Sequence, residues 1–176
     1  QSENSLMDIF ALNNFASLNN ISCDALISSN INFANRIYDE AKILDEYEKA
    51  GRITDKMDAQ HKKYDIMRTF LWINTIKTKE ICKNNPTHTF VYLYNFNTDD
   101  LTEKATNSVW SKILGNLKEK YGDEVILIPI ASDSNIIALN SILENYNFSK
   151  YPIVIIDNKY VIEKLGSVEE LEKYLS

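Results

Sequence analysis

The sequence predicts an α/β protein of 176 residues in two parts. Residues 1–86 form an N-terminal helical region with a long antiparallel helical hairpin, and residues 87–176 an α/β domain around a central mixed sheet. Three observations predict this. Before Lys83-Asn84-Asn85-Pro86-Thr87 the apolar residues recur at helical spacing. After it, β-rich apolar runs alternate with helical ones. The composition, 44% apolar with only 4 Gly and 3 Pro, belongs to a packed globular chain and excludes collagen-like, linker-like and disordered ones.

In the first part, Leu6, Met7, Ile9, Phe10, Leu12, Phe15 and Leu18 outline a short apolar helix interrupted by Asn pairs. It reads as a helix docked on the rest of the protein or as a segment just outside a membrane anchor. A second helix is predicted from about Asn32 to Ala50, or from Asp24 onward, with Phe33, Ile37, Tyr38, Ala41, Leu44 and Tyr47 on one stripe. Residues 50–55 read as a stop and restart, Gly51 suiting a left-handed C-cap and Thr54 an N-cap. A third helix runs from about Asp55 to Cys82, its stripe built on Met57, Tyr64, Met67 and Leu71, with Phe70 and Ile76 as further members.

Two long helices joined by a short turn pack antiparallel, so facing residues have position numbers with a nearly constant sum. The turn 50–55 is centred on 52.5, and so is the midpoint of Cys23 and Cys82, the chain's two cysteines. The leading expectation is therefore a structural disulfide Cys23–Cys82 at the open end of the hairpin. The alternative is two buried free thiols in a reducing compartment. A disulfide favours an extracytoplasmic or cell-surface setting, with the cytoplasm as the alternative.

In the second part, Thr89–Phe96 is an apolar run suited to a buried strand. A helix of about Leu101 to Tyr121 follows, ended by Gly122, with Ala105, Val109, Trp110, Ile113, Leu114 and Leu117 at its apolar positions. Val125–Ile130 is a second strand, in which Pro129 is expected at a strand end or a gap in pairing because it has no N–H to donate. A helix from about Asn135 to Tyr146 comes next. Pro152–Asp157 and Tyr160–Lys164 then read as a hairpin across an Asn158-Lys159 turn. Ser167-Val168-Glu169-Glu170 is a capping box that opens a last helix ending near Leu175.

This order, β-α-β-α-β-β-α, resembles the thioredoxin superfamily. The segment Tyr146-Asn147-Phe148-Ser149-Lys150-Tyr151-Pro152-Ile153-Val154-Ile155-Ile156-Asp157 is similar to that family's loop and cis-proline entering the third core strand, so the resemblance implies a cis Pro152. The likeness fails at the redox motif. The slot of the family's Cys-x-x-Cys reads Asn97-Thr98-Asp99-Asp100-Leu101-Thr102-Glu103, which has no cysteine. Asp100 and Glu103 fit an N-cap and an N3 acid instead. A rival reading makes Asp99, Asp100 and Asp133 an acidic cation site.

By position, the resemblance assigns a partner-binding groove to Tyr151 and Pro152, with Thr98, Asp99, Asp100 and Leu101 opposite. The expected function is a redox-inactive thioredoxin-like module that binds a protein or peptide or serves in an assembly. The alternative is a thiol-disulfide oxidoreductase, or a redox-responsive protein, using Cys23 and Cys82. A third reading is a homodimer through two hairpins forming a four-helix bundle. A net charge of −6, of which −5 falls after Pro86, argues against a nucleic-acid partner. No apolar run is long enough to span a bilayer. The chain starts at Gln1 without an initiator Met, which leaves a signal or membrane anchor upstream of residue 1 open. No cofactor or metal is expected, since Cys23, Cys82, His61 and His88 are scattered without ligand spacing. Asn20-Ile21-Ser22 and Asn147-Phe148-Ser149 match the N-glycosylation pattern, as an Asn-rich chain does by chance.

Overall fold

The structure is a computed structural model that describes Met7, Asp8, Ala11 and residues 22–51 and 55–176. The helix expected over Leu6–Leu18, the N-cap expected at Thr54 and the triplet's Asn20 lie outside the described residues or largely so. The chain divides into two compact units, Gln1–Asn85 and Pro86–Ser176. The fold is mixed α/β. Among the described residues it has five α-helices, two in the first unit and three in the second, and a four-stranded mixed sheet.

In the first unit, α1 spans Cys23–Lys49 and α2 spans Asp55–Ile81. Each has 27 residues, about 40 Å at 1.5 Å per residue. α1 starts at Cys23 rather than near Asn32. Ser22 Oγ accepts the Ala25 N–H at 3.2 Å, capping a helix whose early residues Ser28, Ser29, Asn30 and Asn32 have weak helix propensity. Gly51 follows α1 with φ 71°, a conformation a side chain resists.

The helices pair antiparallel. Cys23 and Cys82 form a disulfide, with Cα atoms 5.6 Å apart. Further along, Asn30 Nδ2 donates to Thr78 Oγ1 at 2.9 Å. Leu26, Phe33, Ile37, Ala41 and Leu44 of α1 are buried, as are Met67, Leu71 and Trp72 of α2. The expected stripe needs correction at Tyr38 and Tyr47, which are about half exposed. Tyr38 stands one position beyond Ile37 in the i, i+3, i+4 series of Phe33, Ile37, Ala41 and Leu44, while Tyr47 continues that series but lies near the end of α1.

In the second unit, the sheet order is β2-β1-β3-β4. β1 (His88–Tyr94) runs parallel to β2 (Val125–Ala131), from His88↔Val125 to Tyr94↔Ala131. β3 (Ile153–Ile156) is antiparallel to β1, and β4 (Tyr160–Ile162) antiparallel to β3. The helices are α3 (Leu101–Tyr121), α4 (Ile137–Tyr146) and α5 (Val168–Glu172). Side chains alternate across a strand, so Phe90, Tyr92, Val125, Val154 and Ile156 share one face. That face packs with Trp110, Leu114 and Leu117 of α3 and Leu171 of α5. The other set, Val91, Leu93, Ile126, Ile128, Ile153 and Ile155, is equally buried. Burial on both sides explains why these strands read as continuous apolar runs.

Pro129 corrects an expectation. It sits inside β2, opposite Tyr92, rather than at a strand end or gap. β2 is an edge strand, and Ser132 N–H donates to Tyr94 O, which directs even-numbered positions towards β1. Pro129 therefore turns its nitrogen away from the ladder, where no donor is required. The hairpin turn centres on Asp157-Asn158 rather than Asn158-Lys159: both have positive φ, and Lys159 N–H donates to Ile156 O. That is a type I′ turn, favoured where strands twist right-handedly. At the far end of the sheet, Asp157 also accepts from Thr89 N–H at 2.9 Å and lies 2.8 Å from His88 Nδ1, tying β1 to the hairpin.

Candidate functional site

The strands β1 and β2 end together at the pair Tyr94↔Ala131, and β3 begins beside them at Leu93↔Ile153. Three loops therefore meet at this end of the sheet: 95–100 after β1, 132–136 after β2, and the segment before β3, where the Tyr151–Pro152 peptide is cis. Tyr151, Pro152, Thr98, Asp99, Asp100 and Leu101 all belong to these loops or to the first residue of α3.

Carboxylates hold the first loop in shape. Asp133 accepts the backbone N–H groups of Phe96 at 2.9 Å and Asn97 at 2.8 Å, one on each oxygen. Glu103 receives Asn95 Nδ2 at 2.8 Å on one oxygen and the Thr98 hydroxyl at 2.6 Å on the other. Asp100 is the N-cap of α3, its Oδ1 accepting from Thr102 N–H at 2.8 Å and Glu103 N–H at 3.2 Å. Thr98 Oγ1 in turn accepts the Asp100 N–H at 3.3 Å. The two strand ends are joined by Ser132, whose Oγ lies 3.0 Å from Tyr94 O and 2.7 Å from Asn95 Oδ1. Below the loop, Tyr92 donates its hydroxyl to Asn107 O at 3.2 Å, and burial pushes that phenol well above its ordinary pKa.

This bonding decides what the loop can do. The acidic cation reading set an ion on Asp99, Asp100 and Asp133, yet Asp100 Oδ1 and both Asp133 oxygens already accept the N–H groups that a helix terminus and a turn must satisfy. A cation there would displace those bonds and meet the positive end of the α3 dipole. Among the described residues, no group of three or more His, Cys, Asp or Glu side chains is placed to hold a metal ion. No cysteine or histidine lies in the loop. Beside the exposed Asp99, the site presents two apolar side chains outward: Leu101 is 79% exposed at the start of α3 and Ile137 87% exposed at the start of α4. Tyr151 is half-buried, and burial raises its phenol pKa.

Sequence reasoning placed Glu103 at the helix start but missed Asn95 and Ser132 as parts that shape this loop. Asn and Ser at strand ends are turn signals, which is the clue that was available. It also missed a polar cluster in the first unit, where the fully buried Asp65 stands 3.1 Å from His61 Nδ1 and 3.9 Å from Arg68. A separate cleft of about 300 Å³ in that unit is lined by Ala25, Ser28, Ser29, Asn32, Phe33, Arg36 and Asp8.

No family model matches the chain, and no curated protein matches it. Among solved structures, one described as "Structure of a malarial protein" is similar at 17% identity and a TM-score of 0.40, over 51% of this chain and 93% of that one. A likeness so distant bears on neither fold family nor function. Among the described residues no helix is long and apolar enough to cross a membrane.

Proposed function

We propose that residues 86–176 are a thioredoxin-like domain that has lost redox chemistry and binds an extended protein or peptide segment at the end of the sheet bordered by Tyr151, Pro152 and residues 98–101. The sheet order β2-β1-β3-β4, with one parallel and two antiparallel pairings, supports the family reading, as does the packing of α3 and α5 on one face. The observation that carries the binding reading is the contrast at the loop after β1. Asp100, Glu103 and Asp133 are engaged in shaping it, while Leu101, beside the exposed Asp99, is left in solvent on a pre-shaped scaffold. A rigid surface of this kind loses little entropy on binding.

The disulfide supports an extracytoplasmic setting, because such bonds persist where the surroundings are oxidising. The rival oxidoreductase reading needs a thiolate that can attack or be attacked. Cys82 is only 2% exposed and Cys23 is partly buried beside it, which limits access of an attacking thiolate. The homodimer reading draws on the exposed Tyr38, Ile43 and Tyr47 of α1. It draws nothing from Met67 and Leu71, which are buried.

Selection of random displayed peptides on the oxidised protein tests the proposal. Enriched peptides should weaken at least about tenfold, or about 1.4 kcal/mol, on Leu101→Asp and be unaffected by Tyr47→Lys. Enrichment lost on Tyr47→Lys instead would move the binding surface to the hairpin.

A further inference from the structure

We propose that Asn147 carries an N-linked glycan, an inference that rests on the extracytoplasmic reading above. The chain has two Asn-x-Ser/Thr triplets whose middle residue is not proline, at Asn20 and Asn147. Asn85-Pro86-Thr87 is barred by its proline.

Chance explains the presence of a triplet in an Asn-rich chain; it does not explain how this one is displayed. Asn147 ends α4 in the left-handed conformation, φ 56° and ψ 41°. The helix end uses its backbone, not its side chain: the Asn147 N–H donates to Leu143 O and Glu144 O, and Phe148 N–H also reaches Leu143 O. The Asn147 carboxamide is exposed and has no hydrogen-bond partner among the described residues. Asn30, Asn95 and Asn107, by contrast, are occupied, on Thr78, Glu103 and Asn95 O respectively. Within the triplet, Phe148 stacks on Tyr146 with ring centroids 5.3 Å apart and an interplanar angle of 6°. That stacking engages the middle residue and leaves Asn147 and Ser149 in solvent.

The modification requires a lipid-phosphate-linked oligosaccharide as donor. Asn147 Nδ2 forms a bond to C1 of the first sugar, the C1–O bond to the lipid phosphate breaks, the amide loses one proton, and the lipid phosphate leaves. A hydrophilic glycan at this exposed helix end displaces no packing and breaks no hydrogen bond.

The test is peptide mass spectrometry on the protein purified from the cells that make it. Trypsin releases residues 121–150 as one peptide, since no Lys or Arg lies between Lys120 and Lys150. The wild-type peptide should carry sugar-mass increments and release sugar oxonium ions on fragmentation. Both Asn147→Gln and Ser149→Ala should return it to the bare mass, the second variant leaving the helix end unchanged. A bare wild-type peptide overturns the proposal. If Cys23 and Cys82 then resist alkylation without reductant, only the glycan fails; if both alkylate freely, the extracytoplasmic reading falls with it.

Discussion

Thr98 donates its hydroxyl to Glu103 at 2.6 Å across the first turn of α3, where a thioredoxin-like reading looks for a cysteine pair. Hydrogen bonds to a carboxylate are stronger than neutral ones, so this contact and the two backbone N–H groups on Asp133 determine the loop's shape. Asp133→Ala leaves the Phe96 and Asn97 donors without their acceptor and is expected to lower stability by about 1–3 kcal/mol. Urea midpoints measure the loss. Amide exchange at Phe96 and Asn97 should accelerate while that of the β1 core does not.

The alternation of apolar runs was enough to place every strand to within two residues, because burial on both faces leaves β1, β2 and β3 almost wholly apolar. The cysteine pairing was legible for a different reason: in an antiparallel hairpin the turn fixes a constant position sum, and 23 and 82 share its centre. The polar parts were not legible. Asp133 meets Phe96 and Asn97 only because β1 and β2 end side by side, a relation between segments some 36 residues apart that no local pattern carries. Asp65 was likewise invisible, since a stripe counted in apolar residues passes over a buried acid.

Asp65 supplies a second expectation. Its carboxylate is fully buried on α2 beside His61, with Arg68 at longer range. Removing one member of a buried polar cluster costs more than the contact contributes, because the survivors keep their desolvation penalty. Asp65→Ala should destabilise by about 3–5 kcal/mol. Thermal unfolding monitored by circular dichroism checks this, with the exposed Asp58→Ala as a control expected to stay within about 0.5 kcal/mol.

Alkaline titration gives a signed prediction. Burial holds the Tyr92 phenol above its ordinary pKa of about 10, and the Glu103 charge adds to the shift against a lowering Ser111 hydrogen bond. Below about pH 10 both folded and unfolded states keep the proton and stability is unaffected; above it the unfolded state releases its proton first. Stability should therefore fall as pH rises from about 10 towards the folded pKa, at up to about 1.4 kcal/mol per pH unit from this group. Tyr92→Phe should flatten that slope, at the cost of about 1 kcal/mol at neutral pH from the lost bond to Asn107 O. Lys118 acts in the opposite sense. Burial lowers its pKa while it donates to Gly122 O and Val125 O, so its contribution rises with pH up to its unfolded value. Denaturant melts of Lys118→Met should therefore lack the rise in stability that wild type gains as pH approaches the ordinary lysine pKa of about 10.4.

The bond between Cys23 and Cys82 closes the open end of a hairpin whose other end is already joined by the chain, so its main effect falls on the unfolded state. Linking residues 59 positions apart removes loop-closure entropy worth up to about 4 kcal/mol in the chain-entropy model. The double variant Cys23→Ser, Cys82→Ser should lose most of that, and dithiothreitol should lower the wild-type melting temperature while leaving the variant's unchanged. Because a closed bridge offers no thiolate, both cysteines should resist alkylation without reductant even after denaturation, and a structural bridge predicts no reduction of insulin by the dithiol form. Turnover of insulin at a rate above background would reverse the functional reading, since it would require an accessible thiolate that a closed staple between two helix ends does not offer.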